Sequence, residues 1–161
     1  MLTRELDHSL FESYSDDIPV ILKRVYAARA VSESQLSMAL PGLLKPSFDQ
    51  LNIALELLEK CILDNQRILI VGDFDADGAT ASAVAIKALR LMGAKHVDFL
   101  VPNRFKHGYG LSPEIVQEAK TEKDPNLIIT VDNGISSNEG AALARSLDID
   151  VIITDHHLPP K

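Results

Sequence analysis

The stretch RILIVGDFDADGATASA, residues 67–83, decides the fold prediction: an apolar strand runs into three alternating aspartates and a glycine. The acids are Asp73, Asp75 and Asp77, and Gly78 follows them. A strand that ends this way places several negative charges at one edge of a sheet, where they repel one another without a cation. Carboxylate oxygens are the ligands that hard divalent cations prefer. The stretch therefore predicts a divalent-metal site at the end of a buried strand.

Two later segments repeat this pattern with one acid each. LIITVDNG, residues 127–134, reaches Asp132 and Asn133, and VIITDHH, residues 151–157, reaches Asp155, His156 and His157. A neutral imidazole is a metal ligand, a charged one is a proton donor, and a neighbouring carboxylate can orient it. Three strands that each deliver a carboxylate are therefore the main functional signal of the sequence.

Strands and helices alternate from residue 67 onward. Predicted strands cover 67–72, 96–101, 127–131 and 150–154, and predicted helices cover 78–92, 112–120 and 136–147. These strand–helix units suit right-handed crossovers, so we predict an α/β fold with a parallel sheet and helices on both faces. Binding sites of such sheets lie at the carboxyl ends of the strands, where the acids fall. We expect a helical N-terminal extension, 1–66, and an α/β domain, 67–161.

The extension is predicted to contain three helices and to serve packing or interaction. The first has Ile18, Ile21, Leu22 and Val25 on one face, and Ser32–Gln35 resembles a capping box that opens the second. Pro41-Gly42 and Pro46 break the chain before a third helix, whose apolar face carries Leu51, Leu55, Leu58 and Ile62. Cys61 lies on that helix and is predicted to be a core residue.

Composition excludes several classes of protein. The chain has 161 residues, 46% hydrophobic and 24% charged, which suits a folded domain and argues against disorder. One cysteine favours a reducing compartment, and no signal sequence or membrane-length apolar run is present, so we expect a cytoplasmic protein. A net charge of −7 argues against a generic nucleic-acid coat but not against an enzyme that holds phosphates through metals.

Each acidic motif also has a simpler interpretation. Aspartates after a strand are common helix N-caps, and Asp-Asn-Gly is a good turn. D-x-D-x-D-G also begins a calcium-binding EF-hand loop, but that loop needs a glutamate at its twelfth position, where this chain has Val84. Taken together, the acids and imidazoles favour two Mn²⁺ or Mg²⁺ ions that activate water and clamp a phosphoryl group, which is the chemistry of phosphoester hydrolysis.

The loop after the second strand is predicted to bind substrate phosphates because it opens onto the same edge. It carries Arg104, Lys106, His107 and Gly108, and Tyr109 is predicted to stack on a base. Gly78, at the start of a helix, is predicted to let the helix N-terminus approach a phosphate. Asn133 completes the predicted substrate site. His8 and His96 are predicted to be surface or packing residues.

GDFDADGATA, TVDNG and TDHH, in this order and spacing, resemble the first three motifs of the DHH phosphoesterase superfamily. PNRFKHGYGLSPE and IPVILKRVYAARAVSESQL resemble segments of its RecJ family of single-strand-specific exonucleases. The resemblance implies 5′-to-3′ degradation of single-stranded DNA to 5′-mononucleotides with Mn²⁺ or Mg²⁺, in recombination and repair, with repair proteins as further partners. It also implies Asp75, Asp77, Asp132 and His156 as metal ligands, joined by Asp73. Asp155 would orient the histidines, and His157 would contact the scissile phosphate or supply a proton.

The sequence departs from that family in length. A further acidic ligand, a second catalytic-side domain and a nucleic-acid-binding OB domain are expected downstream of the TDHH motif, where this chain has only four more residues. We therefore interpret the chain as an N-terminal fragment with an incomplete metal site and expect weak or no nuclease activity from it.

Three other functions remain open from the sequence. One is hydrolysis of short oligonucleotides, cyclic dinucleotides or pyrophosphate within the same superfamily. Another is a non-enzymatic receiver-type domain that gathers aspartates around Mg²⁺, although it would need a lysine at the end of a late strand. The third is a catalytically silent fragment that binds a partner.

Overall fold

The computed structural model describes residues 4–37, 48–103 and 107–159. The chain divides into two compact units, Met1–Phe48 and Asp49–Lys161. The boundary predicted at residue 66 falls between a helix and a strand that both lie in the second unit. The predicted break at Pro41-Gly42 and Pro46 lies outside the described residues.

The described part of the first unit contains two helices, α1 (His8–Ser13) and α2 (Val20–Ala27), and a 3₁₀ turn, Glu33–Leu36. The predicted capping box is present at residues 32–35, where the backbone N–H of Ser32 donates to the Gln35 side chain at 2.7 Å. Tyr14 and Ala27 are buried, whereas the predicted apolar face of α2 is largely open: Ile21 is 67% exposed. The apolar periodicity thus predicted a helix here, but the buried residue of α2 is Ala27 rather than a member of the predicted apolar face.

The second unit is built on four parallel strands. In chain order its elements are α3 (Leu51–Leu63), β1 (Arg67–Gly72), α4 (Ala76–Leu91), β2 (His96–Leu100), α5 (Pro113–Glu122), β3 (Leu127–Val131), α6 (Asn138–Ser146) and β4 (Asp150–Thr154). The strand order is β2-β1-β3-β4 and every pairing is parallel. The predicted α/β class with a parallel sheet is therefore confirmed.

Alternate residues of the strands face two separate cores, because side chains on a strand point to opposite faces of the sheet. Ile68 and Ile70 of β1 pack with Cys61 on one face, against α3 and α4. Leu69 and Val71 pack on the other face, against α5 and α6. Helices thus cover both faces, and Cys61 is a fully buried core residue as predicted. The apolar face predicted for α3 is partly wrong, since Leu51 and Leu55 are about half exposed.

None of the helices in the described part of the chain has the length and apolar character needed to cross a bilayer.

Candidate metal centre

The three strands β1, β3 and β4 end side by side, because they are neighbours in the sheet and run in the same direction. Register pairs Gly72 with Val131, and Val131 with Thr154. The residues that follow these three positions are Asp73, Asp132 and Asp155. The fold therefore brings the predicted acids to one edge of the sheet, which we call the carboxyl edge.

A first group of ligands consists of three carboxylates. Asp73, Asp75 and Asp132 each present an oxygen, and these oxygens all lie within 4.8 Å of one another. Asp73 is buried, and the Asp132 side chain is only 7% exposed, so water screens their charges poorly. Among the described residues, no lysine or arginine forms an ion pair with these carboxylates. The group therefore has the charge and the oxygen donors of a divalent-cation site.

Asp75 has a second role at the start of α4. Its Oδ1 atom accepts hydrogen bonds from the backbone N–H groups of Asp77 and Gly78, both at 3.0 Å. The simple N-cap interpretation and the ligand interpretation thus apply to the same residue. Asp77 is exposed in the first turn of α4 and lies outside both candidate ligand groups.

Gly78 allows close packing because it has no side chain. A Cβ atom there would lie 2.5 Å from the backbone N and O of Asp73. The first turn of α4 can therefore pack directly against the backbone that carries Asp73. This contact holds Asp73 at the carboxyl edge and gives Gly78 a packing role beside its predicted role toward substrate.

Asp132 lies in a turn that fixes its direction. Its φ is +64°, in the left-handed region, which costs a non-glycine residue about 1 kcal/mol. Its backbone N–H still donates to the Thr154 carbonyl at 3.1 Å, so β3 stays joined to β4. Such strain at the end of a strand is typical of functional positions.

Asn133 ties two strand ends together from inside the protein. It is 1% exposed, and its Nδ2 donates to the carbonyls of Val71 in β1 and Val131 in β3, at 3.1 and 2.9 Å. Its Oδ1 is buried without a hydrogen-bond partner among the described residues. The side chain therefore turns away from solvent and joins β1 to β3 beneath the acids.

A second group combines Asp132 with the two imidazoles. Ligand atoms of Asp132, His156 and His157 lie within 4.8 Å of one another, and His156 Nε2 is 2.9 Å from Asp132 Oδ1. Both rings are accessible, with 72% and 47% of the respective side chains exposed. Asp132 belongs to both groups and links them.

Asp155 holds His157 in place. One carboxylate oxygen accepts from the His157 backbone N–H at 3.0 Å and contacts its Nδ1 at 2.6 Å; the other accepts from the Ile135 N–H at 2.9 Å. The Asp155 side chain is 1% exposed. The hydrogen bond to Asp155 raises the pKa of His157 above 6.5. Burial would raise the pKa of Asp155, but its hydrogen bonds from His157 and Ile135 outweigh burial and lower it below 3.8.

Tyr109 contacts this centre in a way the sequence did not indicate. Its hydroxyl donates to the Asp132 carbonyl at 3.1 Å and lies 3.2 Å from His157 Nδ1. Burial raises the pKa of Tyr109, and the charges of Asp73, Asp155 and Asp132 raise it further. Tyr109 is 47% exposed, and its role in stacking on a base stays a prediction.

The remaining loop residues are placed differently. His107 Nε2 lies 3.4 Å from the Glu118 carboxylate of α5, and its ring is largely covered. Gly108 has φ +74° and open space around it, so it bends the chain between His107 and Tyr109. Arg104 and Lys106 lie outside the described residues.

The carboxyl edge thus holds oxygen and imidazole donors that fit Mn²⁺ or Mg²⁺. Asp73, Asp75, Asp132 and His156 are placed together, Asp155 orients His157, and Asp77 and His107 stand apart. The contact that the sequence does not predict is that of the Tyr109 hydroxyl with Asp132 and His157, because no local pattern encodes it.

The chain is similar to known proteins over most of its length. Residues 67–161 match the DHH family, N-terminal domain. The chain is 51% identical over 146 residues to the single-stranded-DNA-specific exonuclease RecJ of Dickeya dadantii, covering 89% of this chain and 25% of that protein. It is 48% identical over 145 residues to RecJ of Escherichia coli, again covering 89% and 25%.

Two solved structures are also similar. Exonuclease RecJ bound to manganese matches with a TM-score of 0.62 and 37% identity, covering 74% of this chain and 30% of that one. RecJ from Thermus thermophilus in complex with Mn²⁺ matches with a TM-score of 0.61 and 28% identity, covering 95% and 20%. The chain therefore spans about a quarter of the length of the two bacterial RecJ relatives named above.

Proposed function

Because the chain belongs to the DHH family, through its N-terminal domain, we propose that it forms part of a metal-dependent 5′-to-3′ exonuclease. Its substrate is single-stranded DNA, which is hydrolysed to 5′-mononucleotides in recombination and repair. One observation carries this proposal. The carboxylates of Asp73, Asp75 and Asp132 converge within 4.8 Å, and His156 Nε2 lies 2.9 Å from the Asp132 carboxylate. The similarity to RecJ exonucleases supports the substrate class.

Asp73, Asp75, Asp132 and His156 are the residues that would hold Mn²⁺ or Mg²⁺, and Asp77 is the further ligand implied by the family resemblance. A divalent cation supplies the positive charge and Lewis acidity that phosphodiester hydrolysis needs. The two ligand groups share Asp132, which supports a site for two ions. Asn133 and the strained Asp132 turn keep these donors together, so little rearrangement is required when the cation arrives.

His157 is proposed to contact the scissile phosphate and supply the proton. Its Nδ1 faces Asp155, so Nε2 remains available on the accessible side of the ring. Hydrolysis breaks the P–O3′ bond while a water oxygen joins the phosphorus and gives up a proton to solvent, and the Nε2 proton passes to the leaving 3′ oxygen. Asp155 stabilises the charged ring, and the Tyr109 hydroxyl keeps both His157 and the Asp132 carbonyl in position. Arg104, Lys106 and His107 stay predicted contacts of the substrate.

The first test is calorimetric titration of Mn²⁺ into this chain and into the Asp75→Ala/Asp132→Ala double variant. Binding in the parent chain that is lost in the variant is the expected result. An Asp75→Asn variant, which keeps an N-cap acceptor, separates loss of charge from loss of the cap. Equal affinity in all three proteins would contradict the assignment of these acids as ligands.

The proposed substrate is tested on strands of graded length labelled at the 5′ end, with Mn²⁺ present. Progressive digestion of long strands from the 5′ end is expected of a full-length RecJ relative assayed beside this chain, and weak or no digestion is expected of this chain itself. Cleavage restricted to very short oligonucleotides, cyclic dinucleotides or pyrophosphate would instead favour the second candidate function in the superfamily. A receiver-type domain would be labelled by acetyl phosphate, which we do not expect, because Asp155 rather than a lysine follows β4.

A further inference from the structure

The opposite edge of the same sheet carries a basic pocket. It lies where β1 and β2 begin and has a volume of about 390 Å³. We call it the amino-edge pocket. Its charged and titratable lining residues are Arg67, Arg90, Lys95, His96, Asp98 and Lys123. Basic side chains thus dominate this surface in a chain whose net charge is −7.

Nearby acids compensate only part of this positive charge. Lys123 pairs with Asp98 at 2.6 Å, and Arg67 and Lys120 share the single carboxylate of Asp124, at 2.5 and 2.6 Å. Counting Lys120, Asp124 and Glu122, whose charge also reaches Lys123, with the lining, five cationic side chains face three carboxylates, an excess of two positive charges. Arg90 and Lys95 form no ion pair among the described residues. Their charges are therefore open to an incoming anion.

The pocket is built on rigid elements. Arg67 and His96 are partners in the β1–β2 register, so their side chains start from adjacent strands. The Arg90 guanidinium is held over β2 by a hydrogen bond from Nη2 to the Val97 carbonyl at 3.2 Å. The Arg67 guanidinium is fixed by Asp124, through Nε to the backbone carbonyl and Nη2 to the side chain. Guanidinium groups held in this way are preorganised for the oxygens of a phosphate.

We propose that the amino-edge pocket is a second binding site, for the phosphate group of a nucleotide. Its volume suits a ligand of nucleotide size, and its unpaired cations suit a doubly charged phosphate. The ligand is either a free nucleotide or phosphate, or a phosphate of a nucleic-acid strand. The six residues of β1 separate the pocket from the carboxyl edge, so the site is distinct from the metal centre and does not depend on it.

The test is a titration of the ¹⁵N-labelled chain followed by amide chemical shifts, in EDTA so that the metal centre holds no cation. The probes are inorganic phosphate, a 5′-mononucleotide and a single-stranded oligodeoxynucleotide. Saturable shifts at Arg67, at 95–98 and at Lys123 are expected, with millimolar affinity for inorganic phosphate. No shift at these amides with any probe, or shifts confined to 72–78, would overturn the proposal.

Two variants change the affinity in opposite directions. Lys95→Gln removes an exposed, unpaired cation, and we expect it to weaken phosphate binding roughly threefold. Asp98→Asn removes the lining carboxylate, and we expect it to tighten binding by a similar factor, a gain that misfolding cannot produce. Lys60→Gln, on α3 away from the pocket, is the matched control and should leave affinity unchanged. The same affinity in Lys95→Gln, Asp98→Asn and Lys60→Gln would contradict the proposal.

The probes also separate the two sources of the phosphate. Tighter binding of the mononucleotide than of inorganic phosphate supports a free nucleotide as ligand. Tighter binding of the oligodeoxynucleotide per site supports a strand whose backbone crosses the amino edge.

Discussion

The two edges of the sheet differ in how far their charged side chains are paired with opposite charges. At the carboxyl edge, Asp73, Asp75 and Asp132 lie within 4.8 Å of one another, and no described lysine or arginine pairs with them. At the amino edge, Lys123 and Arg67 each have a carboxylate partner within 2.6 Å. The carboxyl edge accumulates negative charge that no described lysine or arginine compensates, whereas the amino edge pairs part of its positive charge within the protein and keeps an excess. Because strands run parallel, each edge collects the same end of every strand, which allows this separation.

The difference shows where the fold gives up stability for a binding site. Like charges held close together raise the free energy of the folded chain, so they need structure that prevents them from moving apart. Asn133 between β1 and β3, and the tight contact of Gly78 with Asp73, supply that structure. The amino edge needs less of it because its ion pairs are attractive.

The largest expected effect is on Mn²⁺ affinity, and it is measured by neutralising one acid at each edge of the sheet. Asp132→Asn removes the carboxylate that belongs to both ligand groups while keeping a residue that tolerates the left-handed turn. We expect Mn²⁺ affinity, measured by calorimetry, to fall at least about 30-fold. Asp98→Asn at the amino edge is the matched control and should leave Mn²⁺ affinity unchanged. An equal loss in both variants would mean that net charge, not the carboxyl edge, determines binding.

The next effect concerns the structure that holds the acids. Gly78→Ala places a Cβ atom 2.5 Å from the Asp73 backbone, which must then move. We expect it to lower the free energy of unfolding by about 2 kcal/mol and to weaken Mn²⁺ binding. Val84→Ala, at a position of α4 that is 67% exposed, should change stability by less than about 0.5 kcal/mol. Urea unfolding measures both, and a tolerated Gly78→Ala would remove the proposed packing role.

Variants at Asp75 separate the effect of charge repulsion among the acids from the effect of capping α4. In EDTA, Asp75→Asn keeps an acceptor for the Asp77 and Gly78 N–H groups but removes one of three crowded charges. We expect it to be about 1 kcal/mol more stable than Asp75→Ala, which loses the cap. It should also melt above the parent chain without metal and below it with saturating Mn²⁺. Failure of this reversal would show that the carboxylates do not repel one another appreciably.

Tyr109→Phe tests the contact of the loop with the carboxyl edge. It removes the hydroxyl bound to the Asp132 carbonyl and near His157 Nδ1, but keeps the ring for stacking. We expect a loss of about 1 kcal/mol in unfolding free energy. Tyr26→Phe, in the first unit, is a control for loss of a tyrosine hydroxyl elsewhere. Unchanged stability in Tyr109→Phe would leave stacking as the role of this residue.

The smallest effect is the different pH dependence of two ion pairs with the same 2.6 Å distance. His157 pairs with Asp155 at the carboxyl edge, and Lys123 pairs with Asp98 at the amino edge. The hydrogen bond from Lys123 lowers the pKa of Asp98 below 3.8, and hydrogen bonds outweigh burial to lower that of Asp155. The stability that Asp98 and Asp155 contribute is therefore present above pH 3.8. It is lost as the pH falls through their lowered pKa values.

The basic partners, His157 and Lys123, set the upper pH limits of the ranges in which the two ion pairs stabilise the fold. Asp155 raises the pKa of His157 above 6.5, so its stabilisation is complete below 6.5 and is lost as pH rises through the raised value. Asp98 raises the pKa of Lys123 above 10.5, so that pair persists through neutral pH. Urea unfolding in EDTA between about pH 5 and about pH 9 should show the cost of His157→Gln shrinking and that of Lys123→Gln staying constant. Parallel curves would contradict the pairing of His157.

Sequence reasoning was most accurate for the strands, because a buried parallel strand appears as a continuous apolar run. Three of the four strands have the predicted bounds, and β2 ends one residue earlier. α4 begins at Ala76 rather than 78, because Asp75 caps it directly after the strand. The apolar face of α3 was harder to predict, since the buried position of Cys61 is determined by where the helix crosses the sheet.

The candidate site was predictable to the extent that it follows strand ends. Asp73, Asp132 and Asp155 come together because register fixes where parallel strands stop. The Tyr109 hydroxyl contact depends on the path of a loop that joins residues 23 positions apart, and no local pattern encodes it. The same holds for His107, whose contact with Glu118 follows from the position of α5. The basic pocket has no local signature in the sequence, because its cations come from separated elements and His96 by itself suits a surface or packing residue.

The strand order has a consequence for synthesis of the chain on the ribosome. β1 lies in the interior of the sheet, yet β3, its neighbour on one side, and Asn133, which donates to the Val71 carbonyl, come much later in the sequence. That hydrogen bond joins residues 62 positions apart. At roughly 5–20 residues per second, β1 waits roughly 3–12 s for this contact. During that interval α3, α4, β2 and α5 can already cover its apolar side chains, but the edge of β1 that pairs with β3 stays unpaired and open to other chains or to chaperones.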